Sequence, residues 1–256
     1  MLSPQALIKG LVQRALPASP TLDGPNVDVA MRQSSYGELF TMPLIRKQHG
    51  LADEGSYYVA HNNQSALAPT YNTAFTATNP FFLIQNNSQI GQRLYLDYVA
   101  LTAAVAMVST TTQGYEALTV VIDNTLRYSS AGTALTISNA NMLAPTGPPV
   151  TAYAGAVVAT AASGAARTIV GQRNIRPALS ATVPNVIGDT NIINFGSVEG
   201  AASTISITAG QSNVMPHAVP PVVIGPGHSA LVYIYWPVLS APSAGTFVPE
   251  LGFWMR

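Results

Sequence analysis

No cysteine occurs in the 256 residues, which removes disulfides, thiolate metal sites and cysteine nucleophiles together. Charge is almost as scarce. Asp, Glu, Lys and Arg make up 9% of the chain, against about 25% in ordinary soluble domains. The 11 acidic and 11 basic residues cancel, so no basic field exists to hold nucleic acid, and direct genome binding is not expected. Near-zero net charge instead favours association. Long apolar runs are missing as well. Tyr98 to Val108 and Val150 to Ala162 are the most apolar stretches, and both fall short of the ~20 residues a spanning helix needs. Lys9 and Arg14 interrupt the apolar stretch from Met1 to Leu16, so no export signal is expected.

What is present is one helical pattern followed by many short strands. Ser3 can cap a helix, Pro4 suits its first turn, and Leu7, Leu11 and Ala15 recur at spacing four, with Ile8 and Val12 widening the stripe. Pro17 to Pro25 then reads as a linker. Residues 1–25 are therefore expected to form an amphipathic arm, with Leu7, Ile8, Leu11 and Val12 as its docking stripe. Strands are expected at Ser56–Ala60, Phe81–Gln85, Arg93–Ala103, Glu116–Ile122, Leu126–Tyr128, Thr204–Thr208, Val219–Ile224, Ser229–Trp236 and Phe247–Met255. In Arg93–Ala103, simple alternation puts Leu94, Leu96 and Tyr98 on one face. Gly225-Pro226-Gly227 reads as a hairpin turn between its flanking strands. Strands at this spacing, without alternating helices, indicate an all-β, antiparallel β-sandwich of jelly-roll type over residues 26–256. Residues 139–184, rich in Ala, Gly, Thr and Pro, are left as an insertion or a subdomain.

Chemistry-bearing constellations are few. His228-Ser229 leaves a glycine-rich turn without the strand–helix context of a nucleophile elbow. His49, Asp53, Glu54 and His61 fall close together, but at spacings that match no metal site. Asp97 and Glu116 are single acids with nothing to pair them for glycoside cleavage. Tyr57, Tyr58, Tyr71, Tyr115 and Tyr153 could supply a carbohydrate platform, although strand aromatics usually serve a core. No phosphate-binding glycine loop is found. The reading is non-enzymatic, with no catalytic, cofactor or metal residues. One strand bears on assembly: Leu231, Tyr233 and Tyr235 alternate with Val232, Ile234 and Trp236, so both faces are apolar and both need covering. These six residues are the expected contact with other copies, the alternative cover being an internal insertion.

The block from Val219 through Pro220, Pro221 and Gly225-Pro226-Gly227 to Leu231, the end from Phe247 to Arg256, and the block Tyr57 to Gln64 followed by Thr78-Asn79-Pro80-Phe81 resemble the cement proteins of tailed phages. The likeness touches about a third of the chain. It implies a role in the virion: a homotrimer on the capsid exterior, clamping adjoining capsomers of the major capsid protein, with no membrane partner. The other virion roles considered are a jelly-roll coat subunit and a tail or receptor-binding module that takes glycans.

Overall fold

The computed structural model describes residues 47–108, 116–144, 147–161, 166–175, 187–196, 198–201, 215–237 and 242–256. The chain divides after Glu54 into two units. Of the first, a short helix α1 (Lys47–Asp53) is described, closed by the Glu54 amide donating to Gly50 O at 3.0 Å. The expected arm with Leu7, Ile8, Leu11 and Val12, and the strand expected at Thr204–Thr208, lie outside the described residues.

The second unit, Gly55–Arg256, is built from strands β1 (Tyr57–His61), β2 (Phe82–Asn86), β3 (Leu94–Val105), β4 (Glu116–Asp123), β5 (Tyr128–Ala134), β6 (Thr136–Asn139), β7 (Val150–Ala159), β8 (Arg167–Ile175), β9 (Thr190–Asn194), β10 (Val198–Ala201), β11 (Met215–Ala218), β12 (Val222–Ile224), β13 (Ser229–Tyr235) and β14 (Thr246–Met255). Two antiparallel sheets carry most of them. The first runs β12-β3-β14-β1-β6, with β9 also paired to β3; the second runs β5-β7-β2-β13-β4-β8. β10 and β11 form a separate ribbon. The stretch left open at 139–184 contributes β7 and β8 to the second sheet, paired with β2 and β4.

Side chains of period two from each sheet meet in one core, as in a sandwich. Leu94, Leu96, Val99, Leu101, Leu251 and Phe253 come from the first sheet; Phe82, Ile84, Leu118, Val120, Val232 and Ile234 come from the second. Leu135 sits where the chain leaves β5 in one sheet and enters β6 in the other, and its side chain is buried in that core. A strand that changes sheets in this way closes a corner of the sandwich.

Two sequence expectations are corrected. Gly225–Gly227 is a turn, but not of a hairpin: β12 pairs with β3 in the first sheet, whereas β13 pairs with β2 and β4 in the second. Turn chemistry fixes the local reversal and leaves the partners of the flanking strands to the rest of the fold. The crossing is held by Asn86, which is fully buried. Its Nδ2 donates to Ile224 O at 3.0 Å and Gln92 O at 2.8 Å, and its Oδ1 accepts from the Ser88 amide at 3.0 Å. The second correction concerns Tyr98. The register between β3 and β14 shifts, so that Gly252 pairs with Tyr98 but Phe253 pairs with Leu96. Asp97 is the extra residue of a β-bulge, which turns Tyr98 away from Leu94 and Leu96 onto the outer face.

Replacing Asn86 by Ala would strand the buried Ile224 carbonyl and Ser88 amide and the part-buried Gln92 carbonyl. At about 1 kcal/mol for each lost hydrogen bond, with an added penalty for unpaired groups, Asn86→Ala is expected to lower stability by about 2–4 kcal/mol. Urea unfolding should show this as a lower midpoint at unchanged slope.

Candidate functional site: a roofed strand, a charge clasp and an aromatic face

Strand β13 is central in the second sheet, and the chain itself covers both of its faces. Val232, Ile234 and Trp236 lie in the inter-sheet core. Leu231 and Tyr233 belong to an outer cluster with Leu83, Val121, Val157 and Ala159, against which Tyr128, Tyr153 and Tyr235 pack. Phe75 caps that outer side, its ring 4.7 Å from Tyr233 and 6.1 Å from Tyr235. Leu231, Val232, Tyr233, Ile234 and Trp236 are all buried, with Tyr235 half-buried. Of the two covers weighed from the sequence, the cover is internal, so the double apolar face does not by itself demand a second copy.

The roof is pegged by polar side chains on the outer face. After β4 the chain does not turn back beside it; residues 124–127 cross over the sheet to β5, which pairs with β7 near the far edge. Ser229, fully buried on β13, donates from Oγ to Thr125 O at 2.8 Å and accepts from the Arg127 amide at 3.2 Å. The serine of the His228-Ser229 pair is thus committed to holding this crossing.

Beside it lies a concentrated charge cluster. The Asp123 side chain is fully buried, and its Oδ2 lies 2.8 Å from both Arg127 Nε and Arg167 Nε. Its Oδ1 accepts from the Thr125 amide at 3.1 Å and the Thr125 hydroxyl at 2.9 Å. Arg167 reaches onward from Nη1 to Ala77 O and the Tyr233 hydroxyl, and from Nη2 to Thr160 O. Arg127 Nη1 donates to Ala161 O at 3.1 Å. One carboxylate therefore fastens the segments around residues 77, 125 and 160 to the strand ends. Burial pushes the Asp123 carboxyl upward, but Arg167, Arg127 and Thr125 outweigh it and hold the group below its ordinary value. Burial likewise pushes the Tyr233 phenol up to about 12. A clasp with this many internal partners is structural.

The outer face of the first sheet is different in kind. Tyr57 donates to Asp97 Oδ2 at 2.8 Å, Tyr98 donates to Glu250 Oε1, and Tyr95 stacks on Trp254 with rings 5.4 Å apart and parallel within 1°. Burial, reinforced by Asp97 for Tyr57 and by Glu250 for Tyr98, raises both phenols well above their ordinary range. Gly252 lies beneath them: a methyl built there would overlap the Tyr98 ring and the Tyr57 hydroxyl, so close approach requires glycine. His61 extends the face, with Nδ1 accepting from the Asn63 amide at 3.3 Å and Nε2 3.1 Å from Ser138 Oγ.

Other sequence candidates are dispersed. Tyr58 stacks on Phe253 in the core, Tyr71 leans on Trp236, and Tyr153 stacks on Tyr128 outside the second sheet; Tyr115 lies outside the described residues. Of the five tyrosines, Tyr57 alone stands on the outer face of the first sheet, beside Tyr95, Tyr98 and Trp254, and both Tyr57 and Trp254 are buried there. The alternation of Tyr95 with Leu94 and Leu96 was a usable signal, while the bulge that adds Tyr98 was not. Asp97 and Glu116 belong to strands of different sheets. No group of three His, Asp or Glu side chains suited to a metal occurs among the described residues.

Asp123→Asn is expected to cost about 3 kcal/mol at pH 7, because it leaves two largely buried guanidiniums without their counter-charge. The sign of the pH dependence follows from the lowered carboxyl: the clasp contributes fully above the unfolded carboxylate range near pH 4 and is lost as pH falls through the lower folded value. Chemical denaturation should therefore show the gap between wild type and variant shrinking below about pH 4. A gap constant down to pH 2 would contradict the assignment. Compared with family models, with curated proteins and with solved structures, the chain matches none.

Proposed function

We propose that this chain is a non-enzymatic jelly-roll protein of a virion, acting as a cement that sits as a homotrimer on the exterior of a tailed-phage capsid and clamps adjoining copies of the major capsid protein. The observation that carries the fold part is the pairing order. A jelly roll wraps eight strands so that first, eighth, third and sixth neighbour one another in one sheet, and second, seventh, fourth and fifth in the other. Taking β1, β2, β3, β4, β8, β12, β13 and β14 as those eight, the runs β1-β14-β3-β12 and β2-β13-β4-β8 follow that order. β5, β6 and β7 are then an insertion that widens both sheets, and β9 to β11 a second insertion.

Fold does not fix role; composition supplies the next step. A surface with few ionised groups binds through hydroxyl, amide and apolar contacts, which salt screens little. Many such weak contacts, repeated over a shell, add to tight attachment. Together with the likeness to phage cement proteins at Tyr57–Gln64, Val219–Leu231 and Phe247–Arg256, this favours a shell-binding role over catalysis. A second reading, a receptor-binding module, draws on the partly exposed Tyr95 and Tyr98 rings and the Asp97 and Glu250 carboxylates beside them, backed by the buried Tyr57 and Trp254; accessible rings and carboxylates of this kind stack on and hydrogen-bond sugars.

The decisive experiment mixes purified protein with capsids stripped of it and follows cosedimentation. Saturable binding that survives 0.5 M salt (roughly a Debye length of a few Å) is expected. Failure to bind would sink the cement role. Closed shells formed by the protein alone would make it a coat subunit, and retention on a glycan array would favour the receptor reading.

A further inference from the structure

The turn that follows β1 is held by a titratable side chain. Asn62 O accepts from the Ser65 amide at 2.8 Å, and Asn62 Nδ2 donates to Ser65 O at 3.2 Å. Between them Asn63 and Gln64 both take left-handed backbone, with φ of 46° and 64°, a conformation that non-glycine residues seldom adopt. Such backbone persists where its surroundings hold it. His61, the last residue of β1, does so: its Nδ1 accepts from the Asn63 amide at 3.3 Å, and its Nε2 lies 3.1 Å from Ser138 Oγ on β6. Two residues past the turn, Leu67 exchanges backbone hydrogen bonds with Phe247 at 2.8 and 3.0 Å. The chain then continues into the segment of Phe75 and Ala77 that roofs β13.

The donors fix the protonation state of the ring. An amide N–H can only donate, so Nδ1 must offer its lone pair, and the neutral imidazole then carries its proton on Nε2, facing Ser138. A second proton would go to Nδ1. It would turn the acceptor into a donor aimed at the Asn63 amide, and the contact would become repulsive. Histidine side chains take up that proton between about pH 5 and 8, and half-buried His61 is within reach of solvent.

A counter-charge stands on the neighbouring strand. Register sets His61 directly opposite Glu250 of β14, both on the outer face, since the adjoining Ala60 and Leu251 belong to the core. Side chains opposed in this way on paired strands lie within reach of each other. From β6 the neighbours Thr136 and Ser138 are neutral, and Asn62 to Ser65 carry no charge. One strand beyond, β3 adds Asp97 and Tyr98, hydrogen-bonded to Tyr57 and Glu250. An imidazolium at His61 therefore loses the Asn63 amide and is drawn to Glu250. We propose that His61 is a pH-sensitive latch on the turn that begins the roof: neutral, it holds Asn63 and the left-handed turn; protonated, it swings to Glu250 and lets the turn go. The latch is separate from the Asp123 clasp, which acid releases only below about pH 4, and it does not depend on the virion role.

Nuclear magnetic resonance on the full chain, labelled with nitrogen-15, tests it. At about pH 8 the His61 ring should be the Nε2–H tautomer, and His61→Gln assigns its signals among the 4 histidines. As pH falls from about 8 to 5, protection of the Asn63 amide against hydrogen exchange, taken relative to its intrinsic rate, should drop about fivefold. The drop should share its midpoint with the His61 ring. His61→Gln should abolish it, and Glu250→Gln should move the midpoint to lower pH by removing the counter-charge. Amides of β13 should keep their protection throughout. An Nδ1–H tautomer at the upper pH, Asn63 protection that stays flat, a drop that survives in His61→Gln, or a midpoint unmoved by Glu250→Gln would each overturn the latch. So would a parallel loss of protection in β13, because the change would then be global unfolding.

Discussion

A sheet apolar on both faces has to be covered on both, and the architecture follows from meeting that demand within one chain. The first sheet covers the inner side of β13. The outer side is covered by the segment carrying Phe75 and by residues 124–127 crossing from β4 to β5. Loops laid over a sheet bring backbone groups that must find partners once water is excluded. The outer face therefore carries Ser229, Asp123 and the Tyr233 hydroxyl among its apolar residues, each hydrogen-bonded to a roofing segment.

That need explains where a charge-poor chain uses its few charges. Asp123, Arg127 and Arg167 come together at one strand end. A buried ion pair gains little over well-packed apolar residues. Its merit here is geometric: one guanidinium fork ties Asp123, Ala77 and Thr160 from three separate segments. Apolar contacts cannot specify such a fixed register among loops.

Much of the sandwich was legible in the residues. β4 and β13 read correctly because burial on each face leaves an unbroken period-two record, as in Leu118 and Val120, or Val232 and Ile234. Strand partners were not legible. Gly225–Gly227 would look the same whether its strands pair or part, and the side chain that decides, Asn86, lies 138 residues from the carbonyl it holds. The outer aromatic face was half visible: alternation placed Tyr95 opposite Leu94 and Leu96, but a single extra residue at Asp97 inverted everything after it, and such a slip leaves no mark in composition.

The insertion between β4 and β8 has a mechanical corollary. β5 and β7 widen the second sheet while β6, reached through Leu135, widens the first. Along that margin both layers are stitched by one continuous thread, so they cannot part there without pulling Leu135 out of the interior. The layers are tied a second time toward the opposite margin, where the chain leaves β12 in the first sheet for β13 in the second and Asn86 holds Ile224 O. Pinned at two crossings, the sheets resist sliding past one another as well as coming apart.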